Sequence, residues 1–275
     1  MVRSDAINAI DITDLRKEYV PALSFGRLLT FRWTRQPVVA IDRMNLSIEA
    51  GTITAIIGPN GAGKTSLLRL AGGLLLPTAG TLRVLGKDTT RHPEDVRAMV
   101  GYCMTDGRSF FLRLSGRENL RFFAAMHGQS GTYRDANVSN LLDVMELGEV
   151  ADRQVLSYSD GMKQRLALAR ALLGAPRVLL LDEISRGLDP RLRDKVHRHV
   201  REMATEKGVT VLMASHNLDE VQTLSSRVLV MDRGCIVADG HYDQVAQAVK
   251  DVFADRTVET TKADDKSSGS TRGGE

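Results

Sequence analysis

A glycine-rich segment that ends in lysine and threonine carries the clearest chemistry in this sequence. It reads Gly58-Pro59-Asn60-Gly61-Ala62-Gly63-Lys64-Thr65 and fits the pattern G-x-x-x-x-G-K-[ST] in full. Glycines let a backbone curl so that successive N–H groups point at phosphate oxygens, and a following helix directs its positive dipole end at the same anion. Lys64 would add a mobile cation and Thr65 a hydroxyl ligand for Mg²⁺. The segment predicts nucleoside-triphosphate binding, but alone it does not separate a kinase, a GTPase and an ATPase.

Two adjacent carboxylates follow an apolar run further along the chain. Residues 177–181 predict a strand that ends in Asp182 and Glu183. A carboxylate there lies beside the phosphate loop when the two strands are neighbours. Asp182 would then hold Mg²⁺, usually through water, and Glu183 would be the base or water-orienting group for hydrolysis. The alternative, two acidic residues that simply end a strand, is disfavoured by the phosphate loop upstream.

A third motif lies between these two. The segment Leu156–Arg165 resembles the signature of the ABC (ATP-binding cassette) ATPase family, and the resemblance spans about Ile10 to Gly240. The common form is Leu-Ser-Gly-Gly-Gln, and the aligned residues here are Tyr158, Ser159, Asp160, Gly161 and Met162. Ser159 and Gly161 match, and the variant resembles exporters whose permease is a separate chain. The resemblance implies that Ser159, at a helix N-terminus, binds the γ-phosphate held by a second subunit. The alternative is an ordinary serine-capped helix.

The resemblance extends to three further positions. Ser185–Asp189 resembles the family's dimer-contact loop, although Ile184 and Ser185 replace the usual proline and threonine. His216 matches the switch histidine, which would link the γ-phosphate to Glu183 and Asp189, and Tyr19 matches the aromatic that stacks on adenine. The alternative for Tyr19 is an edge-strand tyrosine. Catalysis is thereby predicted for Glu183, His216 and Lys64, and nucleotide contact for Tyr19, Gly58, Pro59, Asn60, Gly61, Ala62, Gly63, Lys64, Thr65, Ser66, Ser159, Gly161 and Asp189.

One motif departs from the family. Thr105 occupies the place of the usual glutamine, and either Thr105 or Asp106 has an oxygen that would reach Mg²⁺ or its water. The predicted metal ligands are therefore Thr65, Asp182 and Asp106.

The next stretch, Arg108–Leu120, again resembles separate-permease exporters. We expect it to help form a groove for a cytoplasmic helix of the permease. The alternative is core packing by Phe110, Phe111 and Leu114, and both interpretations hold if they apply to different side chains.

The composition bounds the kind of protein that presents these motifs. Of 275 residues 43% are hydrophobic and 26% charged, which supports a folded core, and the net charge of +3 gives no argument for nucleic-acid binding. No apolar run approaches the roughly 20 residues needed to cross a bilayer, and the N-terminus lacks the apolar region of a signal peptide. Cys103 and Cys235 lack metal-ligand spacing, so we expect two reduced, buried thiols in a cytosolic protein.

Alternating strand and helix patterns must position the motifs. Ala6–Val20 alternates and predicts an edge strand, whereas the continuous apolar run Thr52–Ile57 predicts a central parallel strand. Other strands are predicted at Val38–Ile48, Thr81–Leu85, Val178–Leu181, Val209–Ala214, Arg227–Met231 and Cys235–Ala238, and helices at Ser66–Gly73, Arg117–His127, Asn137–Leu147, Gly161–Leu173 and Arg191–Lys207. The pattern predicts a parallel sheet covered by helices, with an inserted helical subdomain. Together with the family resemblance, it implies an α/β P-loop NTPase with a RecA-like, mostly parallel sheet and an antiparallel β region.

The domain organisation follows from the same patterns. We predict an ATPase domain over residues 1–255, with the helical subdomain at about 106–165 inserted in the α/β core, and a disordered polar tail over 256–275. Pro21–Gln36 mixes aromatic residues with arginines. It is either an amphipathic excursion that touches lipid headgroups or a membrane partner, or a surface loop whose aromatics fold back onto the domain.

Taken together, the motifs and the family resemblance predict an ATPase that powers transport. Two copies, identical or related, would close head-to-tail around two molecules of ATP with Mg²⁺ and power export by a separate transmembrane permease, from the cytoplasmic face of the membrane. A non-transport ABC ATPase that acts on nucleic acid or ribosomes is the first alternative, but such proteins typically carry long coiled coils or two ATPase halves, and the sequence has neither. A small-molecule kinase is the second, and it would lack the signature segment. No nucleic-acid partner is expected, and the transported substrate stays open.

Overall fold

The computed structural model describes residues 8–20, 36–104 and 110–254. Residues 21–35 of the predicted excursion, the Mg²⁺ candidates Thr105 and Asp106, and the predicted tail 256–275 lie outside the described residues. The domain boundaries proposed from the sequence stay predictions.

A six-stranded sheet forms the main part of the described fold. Its order is β10-β9-β3-β8-β7-β6, with five parallel strands and β10 paired antiparallel to β9. The strands are β3 (Ile53–Ile57), β6 (Val100–Cys103), β7 (Val178–Asp182), β8 (Thr210–Ala214), β9 (Arg227–Asp232) and β10 (Cys235–Gly240). Every residue of β3 and β8 is buried, which confirms β3 as a central parallel strand. The carboxyl ends of β3, β7 and β8 meet at one edge of the sheet.

A second, antiparallel sheet has the order β2-β1-β4-β5. Its strands are β1 (Asn8–Tyr19), β2 (Val38–Glu49), β4 (Ala79–Val84) and β5 (Lys87–Asp88). The prediction of an edge strand for residues 6–20 was wrong, because β1 pairs with β2 on one side and β4 on the other. Its alternating pattern reports that one face is buried, with Ile10, Ile12 and Leu15 in the core, and says nothing about the number of strand partners.

Helices cover the main sheet and build the helical region. They are α1 (Lys64–Ala71), α2 (Pro93–Met99), α3 (Gly116–Met126), α4 (Gly131–Val144), α5 (Asp160–Leu172), α6 (Pro190–Lys207), α7 (Leu218–Leu224) and α8 (242–254). The sequence did not predict α2, α7, α8 or β6. Helix α4 begins six residues before the predicted Asn137, because its first turns are polar and partly exposed and give no apolar periodicity.

Two hydrophobic clusters lie on opposite faces of the main sheet. One joins the sheet to α3, α4, α5 and α6, and the other joins it to α1 and the small sheet. Alternate residues of β7 show the division, because Leu179 and Leu181 belong to the first cluster and Val178 and Leu180 to the second. The strands that end at the motifs are therefore packed against hydrophobic side chains on both faces of the sheet.

The two cysteines are free but differ in burial. Cys103 on β6 is fully buried, and burial raises the pKa of its thiol to about 12. Cys235 is exposed on β10, at the end of the main sheet, so the prediction of two buried thiols was wrong for this residue.

Candidate active site

The phosphate loop connects β3 to α1 and is shaped by close backbone packing. Gly63, directly before α1, has φ 106°, and a Cβ there would lie 2.2 Å from the Ala40 carbonyl oxygen. Only glycine fits at this position. The Lys64 ammonium is buried and donates hydrogen bonds to the carbonyl oxygens of Gly58 and Pro59 at 2.5 and 3.0 Å. The positive charge is thus held inside the loop, next to the N-terminus of α1.

Thr65 and Asp182 meet above the sheet. Strand β8 lies between β3 and β7, so the two motif strands are not neighbours, contrary to the condition stated from the sequence. Contact is made nevertheless, because α1 packs across β7 and β8 and the Thr65 hydroxyl donates to the Asp182 carboxylate. Burial, together with the charge of Glu183, raises the pKa of Asp182 despite the opposing Thr65 hydrogen bond and the Lys64 charge.

This pair of oxygen donors suits Mg²⁺. A hydroxyl and one carboxylate are hard ligands, and Mg²⁺ typically binds through one or two carboxylates plus substrate phosphates and water. Within the described ranges, no group of three or more His, Cys, Asp or Glu residues has the arrangement of a complete metal site. The donors Thr65 and Asp182 fit a cation that takes its other ligands from phosphate and water.

Tyr19 lies close to the phosphate loop, although it is distant in sequence. Its hydroxyl is 3.1 Å from the Ser66 hydroxyl, and the Lys17 ammonium lies 5.3 Å from its ring centroid. The ring is 38% exposed. An exposed aromatic face at the mouth of the loop is available for stacking, as the family resemblance implies.

Glu183 occupies a strained backbone position. Its φ is 54°, uncommon for a non-glycine residue, and its N–H donates to the Ala214 carbonyl at 2.9 Å. His216 Nδ1 lies 3.3 Å from Glu183 Oε1, and Arg186 lies 3.7 Å from Oε2. The structure thus places the two predicted catalytic groups, Glu183 and His216, beside each other at the carboxyl ends of β7 and β8.

Ser159 caps the N-terminus of α5. Its hydroxyl accepts a hydrogen bond from the Met162 N–H at 3.2 Å. The adjacent Asp160 side chain is 97% exposed. Gly161 approaches the 184–189 loop, because a Cβ there would lie 3.0 Å from the Gly187 carbonyl oxygen. The signature segment is therefore packed on the loop that follows Glu183, with Ser159 at an exposed helix end.

Burial accounts for two departures from the common signature. Tyr158 is buried and its hydroxyl donates to the Val150 carbonyl at 2.8 Å, so it ties the segment to the helical region. Met162 is partly buried and packs against the core. Asp189 also has a structural role. Its carboxylate caps α6 by accepting a hydrogen bond from the Leu192 N–H at 3.0 Å.

An aromatic cluster lies at the start of the helical region. Phe110 is buried, whereas Phe111 and Leu114 are 48% and 36% exposed, so core packing describes only the first of the three. On α3, Phe122 and Met126 are also exposed and complete an apolar surface with them. We call Phe111, Leu112, Leu114, Phe122 and Met126 the aromatic patch.

Sequence reasoning missed two groups of residues that connect these parts. Arg170 of α5 lies 5.1 and 5.0 Å from the ring centroids of Phe110 and Phe123, and so joins the signature helix to the base of the aromatic patch. A buried cluster of Ser185, His197, Ser215 and Glu220 joins the loops after β7 and β8. The only sequence signal for the second group is a glutamate four residues after His216, on the first turn of a short helix.

None of the helices in the described ranges combines the length and the apolarity that crossing a membrane requires.

Comparison with known proteins shows which family this chain belongs to. Residues 41–186 match the family described as ABC transporter, and the match includes the phosphate loop, Ser159, Asp182 and Glu183. The chain is 38% identical over 205 residues to the daunorubicin/doxorubicin resistance ATP-binding protein DrrA of Streptomyces peucetius. The aligned region covers 73% of this chain and 60% of that protein. It is 30% identical to the ABC transporter ATP-binding protein NatA of Bacillus subtilis, over 79% of this chain and 88% of that protein. The chain thus spans less than two thirds of the length of DrrA.

A solved structure shows the same fold. The dimeric post-hydrolysis state of the ATP-binding cassette MJ0796, bound to ADP and Pi, superposes with a TM-score of 0.76 at 22% identity, over 84% of this chain and 98% of that one. The predicted α/β P-loop fold, with its antiparallel region and helical part, is confirmed.

Proposed function

Because the chain belongs to the ABC transporter family, we propose that it is the ATP-binding and ATP-hydrolysing subunit of a transporter whose permease is a separate chain. The observation that carries this proposal is the meeting of the phosphate loop, Asp182, Glu183 and His216 at one edge of the main sheet. The loop binds phosphate, Asp182 holds an oxygen-liganded cation, and the Glu183–His216 pair supplies hydrolysis.

ATP binding uses groups that the fold already holds in place. Backbone N–H groups of residues 60–65 and the N-terminus of α1 surround the β- and γ-phosphates, and the Lys64 ammonium moves from carbonyl oxygens to phosphate oxygens. Tyr19, anchored by its hydroxyl to Ser66, presents its ring to the adenine. Family membership supports ATP as the nucleotide.

Mg²⁺ would be held by the Thr65 hydroxyl and, through water, by Asp182. When bound, it would neutralise charge that develops on the β- and γ-phosphate oxygens. Asp106 stays a predicted third ligand, because it lies outside the described residues. Within this chain, the task of Thr65 and Asp182 is to fix the cation beside Lys64.

Hydrolysis falls to Glu183 and His216. Glu183 orients and polarises a water whose oxygen attacks the γ-phosphorus while the bond to the bridging oxygen of ADP breaks. His216 Nδ1 lies 3.3 Å from the Glu183 carboxylate and would hold it, and the exposed imidazole ring would hydrogen-bond the γ-phosphate. The strained backbone at Glu183 is consistent with such a role, because strain of this kind clusters at functional sites.

A second copy of the chain, or a related chain, would complete each site. Ser159 and the bare N–H groups at the start of α5 form an anion site on an exposed surface. Head-to-tail closure would bring this site onto the γ-phosphate bound by the partner, with Asp189 near the boundary. Loss of the γ-phosphate bridge would then reopen the pair and move the permease.

The aromatic patch is the proposed permease contact. It is exposed and apolar, and Arg170 of α5 contacts the rings of Phe110 and Phe123 beneath it, so movement of the patch would be transmitted along α5 to Ser159 at the other end of the helix. Export is supported by the resemblance at residues 158–162 and by the drug-resistance role in the name of DrrA. The protein would act at the cytoplasmic side of the membrane as a peripheral subunit.

Replacement of Glu183 by glutamine tests the proposal. We expect Glu183→Gln to lose at least about 100-fold in ATPase rate, because the group that polarises water is neutralised, while ATP binding is retained. Light scattering should show an ATP-dependent dimer that persists in the variant and dissociates in the wild type as ATP is consumed. Glu206→Gln, the same change at an exposed site on α6, is the matched control. A Glu183→Gln protein with the wild-type ATPase rate would refute the assignment.

A further inference from the structure

One buried carboxylate joins the segments that carry the catalytic groups. Glu220, on the first turn of α7, is 2% exposed, and it accepts hydrogen bonds from Ser185 Oγ at 2.5 Å, Ser215 Oγ at 2.5 Å and His197 Nε2 at 3.0 Å. Ser185 Oγ and His197 Nε2 also lie 2.9 Å apart. We call these four residues the Glu220 cluster.

The carboxylate is held in its ionised form. Burial alone would raise the pKa of Glu220, but the hydrogen bonds from His197, Ser185 and Ser215 outweigh it and keep the pKa below its ordinary value. An ionised carboxylate only accepts hydrogen bonds, so both hydroxyls and the imidazole N–H point towards it. The cluster therefore has one defined arrangement of donors.

Each donor belongs to a segment that carries part of the predicted site. Ser185 lies two residues after Glu183 and four before Asp189. Ser215 directly precedes His216, and its Oγ also accepts from the Asn217 N–H at 3.0 Å. His197 lies on α6, the helix that Asp189 caps. The three segments thus meet at a single side chain, away from solvent.

We propose that Glu220 is a positioning residue for ATP hydrolysis, which sets the separation of Glu183 and His216 and fixes the loop that leads to Asp189. This inference rests on the proposed function. Glu220 acts through its neighbours and does not touch nucleotide, because its carboxylate is enclosed by the cluster. It explains why serine serves in place of the usual threonine at position 185, since the hydroxyl is the required group.

The substitution Glu220→Gln keeps the shape and removes the charge. We expect kcat for ATP hydrolysis to fall about 10- to 100-fold, the scale of a small misplacement of catalytic groups, while the KM for ATP changes less than about twofold. The phosphate loop is unaltered, so affinity for a fluorescent ATP analogue should be unchanged. Glu206→Gln on the solvent side of α6 is the control and should match the wild type.

Hydroxyl deletion and rescue separate positioning from general stability. Ser185→Ala and Ser215→Ala should each lower kcat with normal KM, whereas Ser185→Thr and Ser215→Thr, which keep a hydroxyl, should retain most of it. The serine variants also decide the question if Glu220→Gln does not fold. Urea unfolding of each variant shows whether kcat follows the hydroxyl or merely the folded fraction.

Two results would overturn the inference. One is wild-type kcat in Glu220→Gln or in both alanine variants, and the other is a fall in kcat that matches the loss of folded protein with no rescue by threonine. These outcomes differ from failure of the proposed function, because in that case the wild-type chain itself would neither bind the ATP analogue nor hydrolyse ATP.

Discussion

The phosphate-loop edge of the sheet and the surface formed by Ser159 and the aromatic patch differ in where their partners lie. At the sheet edge, Lys64, Thr65 and Glu183 all bond to groups of the same chain, and most of their surface is buried. On the other surface, Ser159 caps an exposed helix end and Met126 is 71% exposed. In the proposed function, the first region is one half of the nucleotide site, and the second is completed by a second copy and by the permease.

Because the two regions differ in this way, nucleotide binding tests the first region and association with other chains tests the second. Nucleotide affinity of the isolated chain should depend on the sheet edge alone. Association with a second copy should need both ATP at the sheet edge and Ser159 on the other surface, whereas association with a permease should depend on the aromatic patch. A variant of Ser159 or of the aromatic patch that lowers nucleotide affinity would break the comparison.

The largest effect on nucleotide affinity is expected for Gly63→Ala. A Cβ at this position meets the Ala40 carbonyl oxygen at 2.2 Å, and φ 106° is unfavourable for alanine, so the loop must shift. Overpacking costs about 1–3 kcal/mol, so nucleotide affinity should fall about 5- to 160-fold, and more if the loop opens. Titration with a fluorescent ATP analogue measures it.

Gly86→Ala is the matched control for that substitution. Gly86 also has a positive φ, of 79°, but an added Cβ there meets no atom within 4 Å. Both variants therefore carry backbone strain, and only Gly63→Ala carries the clash at the loop. Equal nucleotide affinities in the two variants would contradict the role given to the packing against Ala40.

Ser159→Asp separates helix capping from phosphate binding. Aspartate caps a helix as well as serine does, so the thermal stability of the monomer and its ATP affinity should stay near those of the wild type. A carboxylate facing the γ-phosphate of a partner is repulsive, and loss of a charge-assisted hydrogen bond costs about 1.5–3 kcal/mol. We therefore expect ATP-dependent dimerisation, measured in the Glu183→Gln background, to weaken about 10- to 100-fold.

Ser157→Asp provides the comparison for charge alone. Ser157 is exposed two residues earlier, and its hydroxyl donates to the Gln154 carbonyl and does not cap α5. Its dimerisation should be close to that of the parent protein. Equal dimerisation of the two aspartate variants would remove the trans-acting role proposed for Ser159.

The sheet edge was predictable from sequence because its chemistry is local. The phosphate loop takes its residues from one short segment, and Asp182 and Glu183 follow an apolar run, so the pattern alone predicted their places between β3 and α1 and at the end of β7. The contact between Thr65 and Asp182 was expected for the wrong reason, since β8 separates the two strands. Strand order is a property of long-range pairing, and no local pattern encodes it.

The connecting residues were not predictable for the same reason. Glu220 and His197 are 23 residues apart and meet only because α6 and α7 pack beside the ends of β7 and β8. Arg170 reads as an ordinary basic residue near the end of a helix, and its place between two phenylalanine rings depends on tertiary packing. The alternation in β1 showed one buried face but could not reveal a strand partner on each side.

The smallest effect on the stability and nucleotide affinity of the chain itself is expected for the double substitution Phe122→Gln and Met126→Gln in the aromatic patch. Glutamine has good helix propensity, and the main structural loss is two edge-to-face contacts of Phe122, with the rings of Phe111 and Phe123 at centroid distances of 4.9 and 5.4 Å. Unfolding free energy should fall by about 1 kcal/mol, and nucleotide affinity should not change. Co-fractionation with the membranes of source cells should be lost, because the apolar contact with the permease is removed.

Val237→Gln replaces an exposed hydrophobic residue on β10, away from the patch, and should leave co-fractionation intact. If the double variant still sedimented with membranes and crosslinked to the same membrane protein as the wild type, the patch would not be the coupling surface.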